Sequence, residues 1–122
     1  MNERMKSIRT ALKTYRHNSA CVKAWREFAD DEERAAAHEK EGARRADRLE
    51  RVAYWRGCIA QVAASVERVE RLLARLPDDT RALLLSHYVD GRSWCEVGAA
   101  SGRSKEAARQ KAWRAIRALS AN

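Results

Sequence analysis

A single proline, Pro77, divides this 122-residue chain and decides most of what it can fold into. Proline lacks a backbone N–H and clashes with the preceding turn, so it opens or ends a helix and does not sit inside one. The 76 residues before it contain only Gly42 and Gly57 as further helix breakers. No β-branched or aromatic residues run in period two, so strand signals are absent. The expectation is an all-α chain, with an N-terminal helical arm leading into a C-terminal group of short helices.

Spacing of the apolar residues fills in the arm. Met5, Ile8, Leu12 and Tyr15 fall at intervals of three and four, one stripe of a helix over 3–17. His17-Asn18-Ser19 reads as an interruption, with Asn18 or Ser19 able to cap the next helix. Val22, Trp25 and Phe28 make a second short stripe. From Asp30 to Arg51, 14 of 22 residues are charged, of both signs. That composition predicts a solvated helix laced with i,i+4 ion pairs, or a flexible linker centred on Gly42.

A sharper pattern follows. Val52, Trp55, Ile59, Val62, Val66, Val69, Leu73 and Leu76 alternate at three and four residues, which is the a/d register of a heptad repeat. Such a seam fits either a homodimeric coiled coil or one amphipathic helix packed on the helices before it. Cys58, Ala63, Ser65 and Leu72 occupy flanking positions where interchain ion pairs would stand, which favours packing within the chain. The organisation expected is therefore a charged helical segment 1–46, a heptad-patterned helix 47–76, and a third segment 77–122.

Charge and composition narrow the function. Lys and Arg total 25 against 17 Asp and Glu, a net charge of +8 with a pI near 9.9. Leu, Ile, Val and Phe are scarce, and 23 Ala with four Trp supply the remaining apolar surface. No stretch approaches the roughly 18 apolar residues that a membrane span needs. The opening MNERMKSIRTALKTY lacks the uninterrupted apolar run of a signal peptide, which points to the cytoplasm. Cys21, Cys58 and Cys95 are odd in number and never in CxxC, so neither a disulfide framework nor a zinc finger is expected. His17 and Cys21 share a helical face, but two ligands are too few for a structural metal. No phosphate loop, nucleophile elbow or Cys/His catalytic pattern occurs. The expectation is a protein without cofactor, metal or enzymatic activity.

Past Pro77 the stop and start signals become dense. Pro77 suits the first turn of a helix, with Asp78 and Asp79 placing negative charge at its positive end. Leu84, Leu85, Tyr88 and Val89 share a face, and Asp90-Gly91 ends the helix. Ser93, with Glu96 three residues on, forms a capping box for a short helix Trp94 to Ala100. Ser101-Gly102-Arg103 is a tight turn, and Ser104 caps a last helix from Lys105 to Leu119. On that helix Ala108, Ala112, Ala115, Ile116 and Leu119 fall on one side. Glu106, Gln110, Trp113, Arg114 and Arg117 lie opposite, with Lys105 and Arg109 on the flank. Residues 103–122 hold six basic groups and one acid. Two helices joined by a short Gly-containing turn, the second one basic, is the layout of a DNA-reading helix-turn-helix.

The stretch LPDDTRALLLSHYVDGRSWCEVGAASGRSKEAARQKAWRAIRAL resembles region 4 of bacterial sigma factors without a gap. The Leu76-Pro77 entry, Leu84-Leu85, Tyr88-Val89, Gly91-x-Ser93, Glu96-Val97, Gly102-x-Ser104 and Ala115-Ile116 carry the likeness. It implies that the last helix reads a promoter element in double-stranded DNA, with Lys105, Glu106, Arg109 and Gln110 as base-reading residues. The chemistry is coherent: Lys105 and Arg109 can donate to guanine, Glu106 can accept from cytosine, and Gln110 suits adenine. Arg92, Ser93, Arg103, Ser104, Lys111, Arg114 and Arg117 are the phosphate-contacting candidates. Region 4 also docks on the flap of RNA polymerase, a second implied partner. Nothing matches the sigma region that melts the promoter, and a short chain with a helical start is more similar to phage regulators of the RinA/ArpU type. The function expected is a sequence-specific transcriptional regulator of phage or prophage origin; a polymerase-binding adaptor and a phage small terminase subunit are the alternatives. Ala100, Ser101, Arg103 and Ala108 stand where the family carries larger aliphatics. That core should therefore need Trp94, Trp113 or the 52–76 helix to fill it.

Overall fold

The computed structural model describes residues 1–121, and among these the chain is helical with no strand. α1 spans Glu3–His38 and α2 spans Gly42–Ala74. Three shorter helices follow Pro77: α3 (Asp78–Leu84), α4 (Trp94–Ala100) and α5 (Lys105–Ser120). The chain forms two compact units, one built from Met1–Arg16 with the residues from Glu67 onward, the other from His17–Val66.

α1 starts where Asn2 caps it, its Oδ1 accepting from Met5 N–H at 2.8 Å. The helix then runs unbroken through His17-Asn18-Ser19, contrary to the interruption expected there. Asn and Ser cost a helix interior only about half a kcal/mol each, and no Pro or Gly is present to stop it. His17 Nε2 and Cys21 Sγ do meet, at 3.5 Å. Among the described residues no group of three or more His, Cys, Asp or Glu is placed to hold a metal.

In the His17–Val66 unit, the charged stretch is neither one helix nor a loose linker. The chain turns at Glu39–Glu41 and enters α2 at Gly42, so residue 46 lies inside that helix. The Arg45 guanidinium donates twice to the Glu39 carbonyl, at 3.0 and 2.8 Å, which fastens the turn. Oppositely charged residues then face each other across the two helices. Arg56 pairs with Asp30 (2.8 Å) and Glu33 (3.0 Å), Arg48 with Glu32 (3.3 Å), and Arg51 with Glu32 (3.4 Å). The i,i+4 pairs read from the sequence are thus largely replaced by bridges between helices. Asp30 first, and Glu33 with it, hold the Arg56 guanidinium charged, raising its pKa above the ordinary arginine value. Phe28 packs on Trp55, with ring centroids 5.1 Å apart.

In the other unit, Met5, Ile8, Ala11 and Leu12 of α1 and Val69 and Leu73 of α2 are buried. They share one core with Leu83, Leu84, Val97, Ala108, Ala112, Ile116 and Leu119. The heptad helix therefore uses its C-terminal apolar residues inside its own chain. Val66, Val69 and Leu73 are buried, Val52, Trp55, Ile59 and Val62 half-buried, and Leu76 lies just past the helix end against the core. Of the four positions expected to leave the helix-turn-helix core underfilled, only Ala108 is buried, with Ala112 equally enclosed beside it; Ala100 and Ser101 are exposed and Arg103 is half-buried, so they leave no gap in the core. Five larger side chains from outside the helix-turn-helix (Met5, Ile8, Leu12, Val69 and Leu73) fill that core. At roughly 1.5–3 kcal/mol per buried aliphatic, they contribute as much as a small domain's whole stability.

Candidate nucleic-acid interface

Three local devices aim α5. Pro77 is the N-cap of α3, not its first helical residue, and its carbonyl accepts from Arg81 N–H at 2.9 Å. The Arg81 guanidinium reaches back to the Leu73 and Leu76 carbonyls at 3.0 and 2.9 Å, satisfying the open end of α2. After α3 the helix widens into a π turn over Leu85–Val89, with Asp90 N–H donating to Leu85 O. Gly91, at φ 74°, then releases the chain toward α4.

Ser93 caps α4 by accepting from Glu96 N–H at 3.2 Å. The return contact differs from a standard capping box, because the Ser93 hydroxyl donates to the Glu96 carboxylate at 3.1 Å. The turn into α5 is set by Gly102, at φ 67°, and by Arg103 N–H donating to Gly98 O at 2.8 Å. Ser104 Oγ accepts from Ala107 N–H at 3.1 Å and caps α5. Gly98 is the place where α4 and this turn touch: a Cβ there would lie 2.7 Å from the Arg103 carbonyl oxygen.

With α5 so held, its two faces divide as the spacing predicts. Ala108, Ala112, Ala115, Ile116 and Leu119 are buried, while Lys105, Glu106, Arg109 and Gln110 are all exposed. The Arg109 guanidinium meets the Glu106 carboxylate at 3.1 Å, which pre-aligns both side chains one turn apart. Arg114 and Arg117 are exposed farther along, and Arg117 lies over the Trp113 ring at 5.4 Å.

The phosphate candidates are not all equally available. Arg92 is exposed, and its carbonyl lies 2.7 Å from His87 Nδ1. The Ser93 and Ser104 hydroxyls are engaged in capping. Lys111 Nζ is bound to Asp79 Oδ2 at 2.5 Å, and Arg103 Nη2 lies 3.8 Å from the same oxygen. Asp79 therefore does more than complement the start of α3: it ties that helix to α5 and occupies two cations expected at phosphates. Lys111 chiefly, then the Thr80 N–H, holds the Asp79 carboxyl below its ordinary 3.8.

Sequence reasoning missed one wall of this surface. A groove runs beside α5, lined by Arg109, Gln110 and Trp113, by His87, Tyr88 and Trp94, and by Arg9 and Lys13 of α1. His87 stacks on Trp94 at 3.7 Å, and Tyr88 meets Trp94 edge-on at 6.0 Å. Burial raises the Tyr88 phenol above 10.0, and the nearby Arg9 charge partly opposes this. Arg9 and Lys13 were legible only as polar neighbours of the Ile8–Leu12 stripe.

No helix among the described residues is long and apolar enough to cross a membrane. No curated protein and no solved structure matches the chain. Residues 72–121 match the family Sigma-70, region 4, and the helices that follow Pro77 form a sigma-region-4-like helix-turn-helix.

Proposed function

We propose that the chain is a non-enzymatic, sequence-specific DNA-binding regulator of transcription, acting in the cytoplasm of a bacterium and encoded by a phage or prophage. α5 enters the major groove and reads base edges, and cations around it fix the register on the backbone. The observation that carries this reading is the tetrad Lys105, Glu106, Arg109 and Gln110: two donors, an acceptor and an amide, all exposed, Glu106 and Gln110 opposite the buried face of α5 and Lys105 and Arg109 on its flank. That set has the hydrogen-bonding variety needed to distinguish base pairs, which a merely basic helix lacks. The match of residues 72–121 to Sigma-70, region 4 supports the same assignment.

The test is selection of genomic fragments by the purified chain at about 150 mM salt, where nonspecific phosphate binding is weakened. One enriched short motif supports the reading. Arg109→Ala or Gln110→Ala should then lower affinity for that motif by ~1–3 kcal/mol and relax preference at one position, while Arg117→Ala weakens all sequences alike. Equal recovery of all fragments would overturn sequence reading and favour an adaptor that docks on RNA polymerase, the other partner implied by region 4.

A further inference from the structure

We infer that the first turns of α1 form part of the DNA-binding surface, with Arg9 and Lys13 holding phosphates of the duplex beside the groove that α5 enters. This rests on the DNA-binding reading above and extends it to a segment outside residues 72–121, the part matched to region 4.

Arg9 and Lys13 are four residues apart, so they project from one side of α1. They line the same groove as Arg109 and Gln110, two of the base-reading candidates. The groove's other wall holds His87 and Trp94, immediately next to Arg92 and Ser93, where a backbone strand is expected. Lys13 is exposed and Arg9 half-exposed, and neither forms an ion pair or hydrogen bond with another side chain among the described residues. Their situation contrasts with that of Lys111 and Arg103, which Asp79 engages. Position is not left to a floppy terminus, because Met5, Ile8 and Leu12 on the adjoining face are 3, 3 and 1% exposed in the shared core. Two rigidly carried cations that lack an anionic partner and continue a cationic edge call for a polyanion, and phosphates flanking the major groove supply one.

The experiment measures binding of the full chain to a duplex carrying the selected motif and to a scrambled duplex, across a salt series. Arg9→Ala/Lys13→Ala should weaken both complexes by a similar factor and leave the preferred motif unchanged. Each lost phosphate contact removes about 0.9 from the salt slope, so two should make it about 2 units shallower. The drop in affinity between about 50 and 200 mM salt should then be roughly tenfold smaller than for the wild type. Arg9→Lys/Lys13→Arg should restore the wild-type slope, and matching circular dichroism melts exclude misfolding as the cause. An unchanged slope and affinity, or a changed motif, would overturn the phosphate role of α1 while leaving α5 as the reader. Absence of DNA binding by the wild type would overturn the underlying reading as well.

Discussion

Replacing Gly98 by alanine should destabilise this protein, against the usual direction for a glycine within a helix. In an ordinary helix the exchange gains roughly 0.5–1 kcal/mol, because alanine loses less backbone entropy on folding. At Gly98 the new Cβ would stand 2.7 Å from the Arg103 carbonyl oxygen and 3.1 Å from both the carbonyl carbon and oxygen of Ser104. Comfortable carbon–oxygen contacts begin near 3.3 Å, so the turn must retreat by about half an ångström or more. It has little freedom to do so. Arg103 N–H is bonded to the Gly98 carbonyl at 2.8 Å, and Ser104 is the cap of α5. Overpacking of this kind costs ~1–3 kcal/mol, leaving a net loss of about 0.5–2 kcal/mol after the helix gain is subtracted. With a urea m-value of about 2 kcal/mol/M, the midpoint should fall by roughly 0.3–1 M. Gly57, with nothing within 4 Å of its would-be Cβ, is the matched control, and Gly57→Ala should raise stability by about 0.5–1 kcal/mol. The measurement is urea unfolding followed by far-ultraviolet circular dichroism. A Gly98→Ala protein as stable as the wild type would show that α4 and the turn do not meet as closely as described. It would also remove the reason for glycine at this position.

Other consequences follow from the same packing. A fragment 77–122 should show no cooperative thermal transition, since it lacks Met5, Ile8, Leu12, Val69 and Leu73; a melt like that of the full chain would refute the shared core. Arg81→Met should lower unfolding free energy by about 1–2 kcal/mol in urea titration, because it leaves the Leu73 and Leu76 carbonyls without their charged donor. Asp79→Asn should lower the melting temperature at pH 6 relative to wild type. The folded Asp79 carboxyl titrates below 3.8, so its contribution is complete above that value and fades as pH falls through the lower folded-state value. The gap between the two proteins should therefore narrow as pH falls through that value, and equal melting temperatures at pH 6 would contradict the Lys111 pairing.

How much of this was legible depended on the range of the interaction responsible. Helix ends after Pro77 were readable because they are local. Ser93, Ser104, Gly91 and Gly102 satisfy backbone groups within three residues or supply a positive φ, and all four serve the roles their types suggest. The inward and outward faces of α5 were readable from period alone. Asn18 and Ser19 misled for the opposite reason: they can cap a helix, yet nothing required the chain to use a cap there. Charge between residues 30 and 56 gave no hint of the turn at Glu39–Glu41. Arg and Glu at helical spacing pair equally well along one helix or across two, and only the fold chooses between them.

The least legible part is also the one that links stability to function. Alanine at 108 reads as a weak core, and a region-4-like segment with such a core should fold poorly alone. The missing volume is supplied by side chains about a hundred residues earlier in the chain, Met5, Ile8 and Leu12, whose stripe signals burial but not the partner. Small residues on α5 and large ones on α1 thus belong to one core. Filling the space with α1 instead of larger residues in the helix-turn-helix has a consequence beyond stability. A helix that packs through Ile8 and Leu12 must present Arg9 and Lys13 at the edge of that contact, next to Arg109 and Gln110. The same substitution pattern that weakens the helix-turn-helix on its own therefore brings two further cations to the surface beside α5. Enlarging Ala108 or Ala112 should displace α1, and with it this cationic edge, before it disturbs the exposed face of α5.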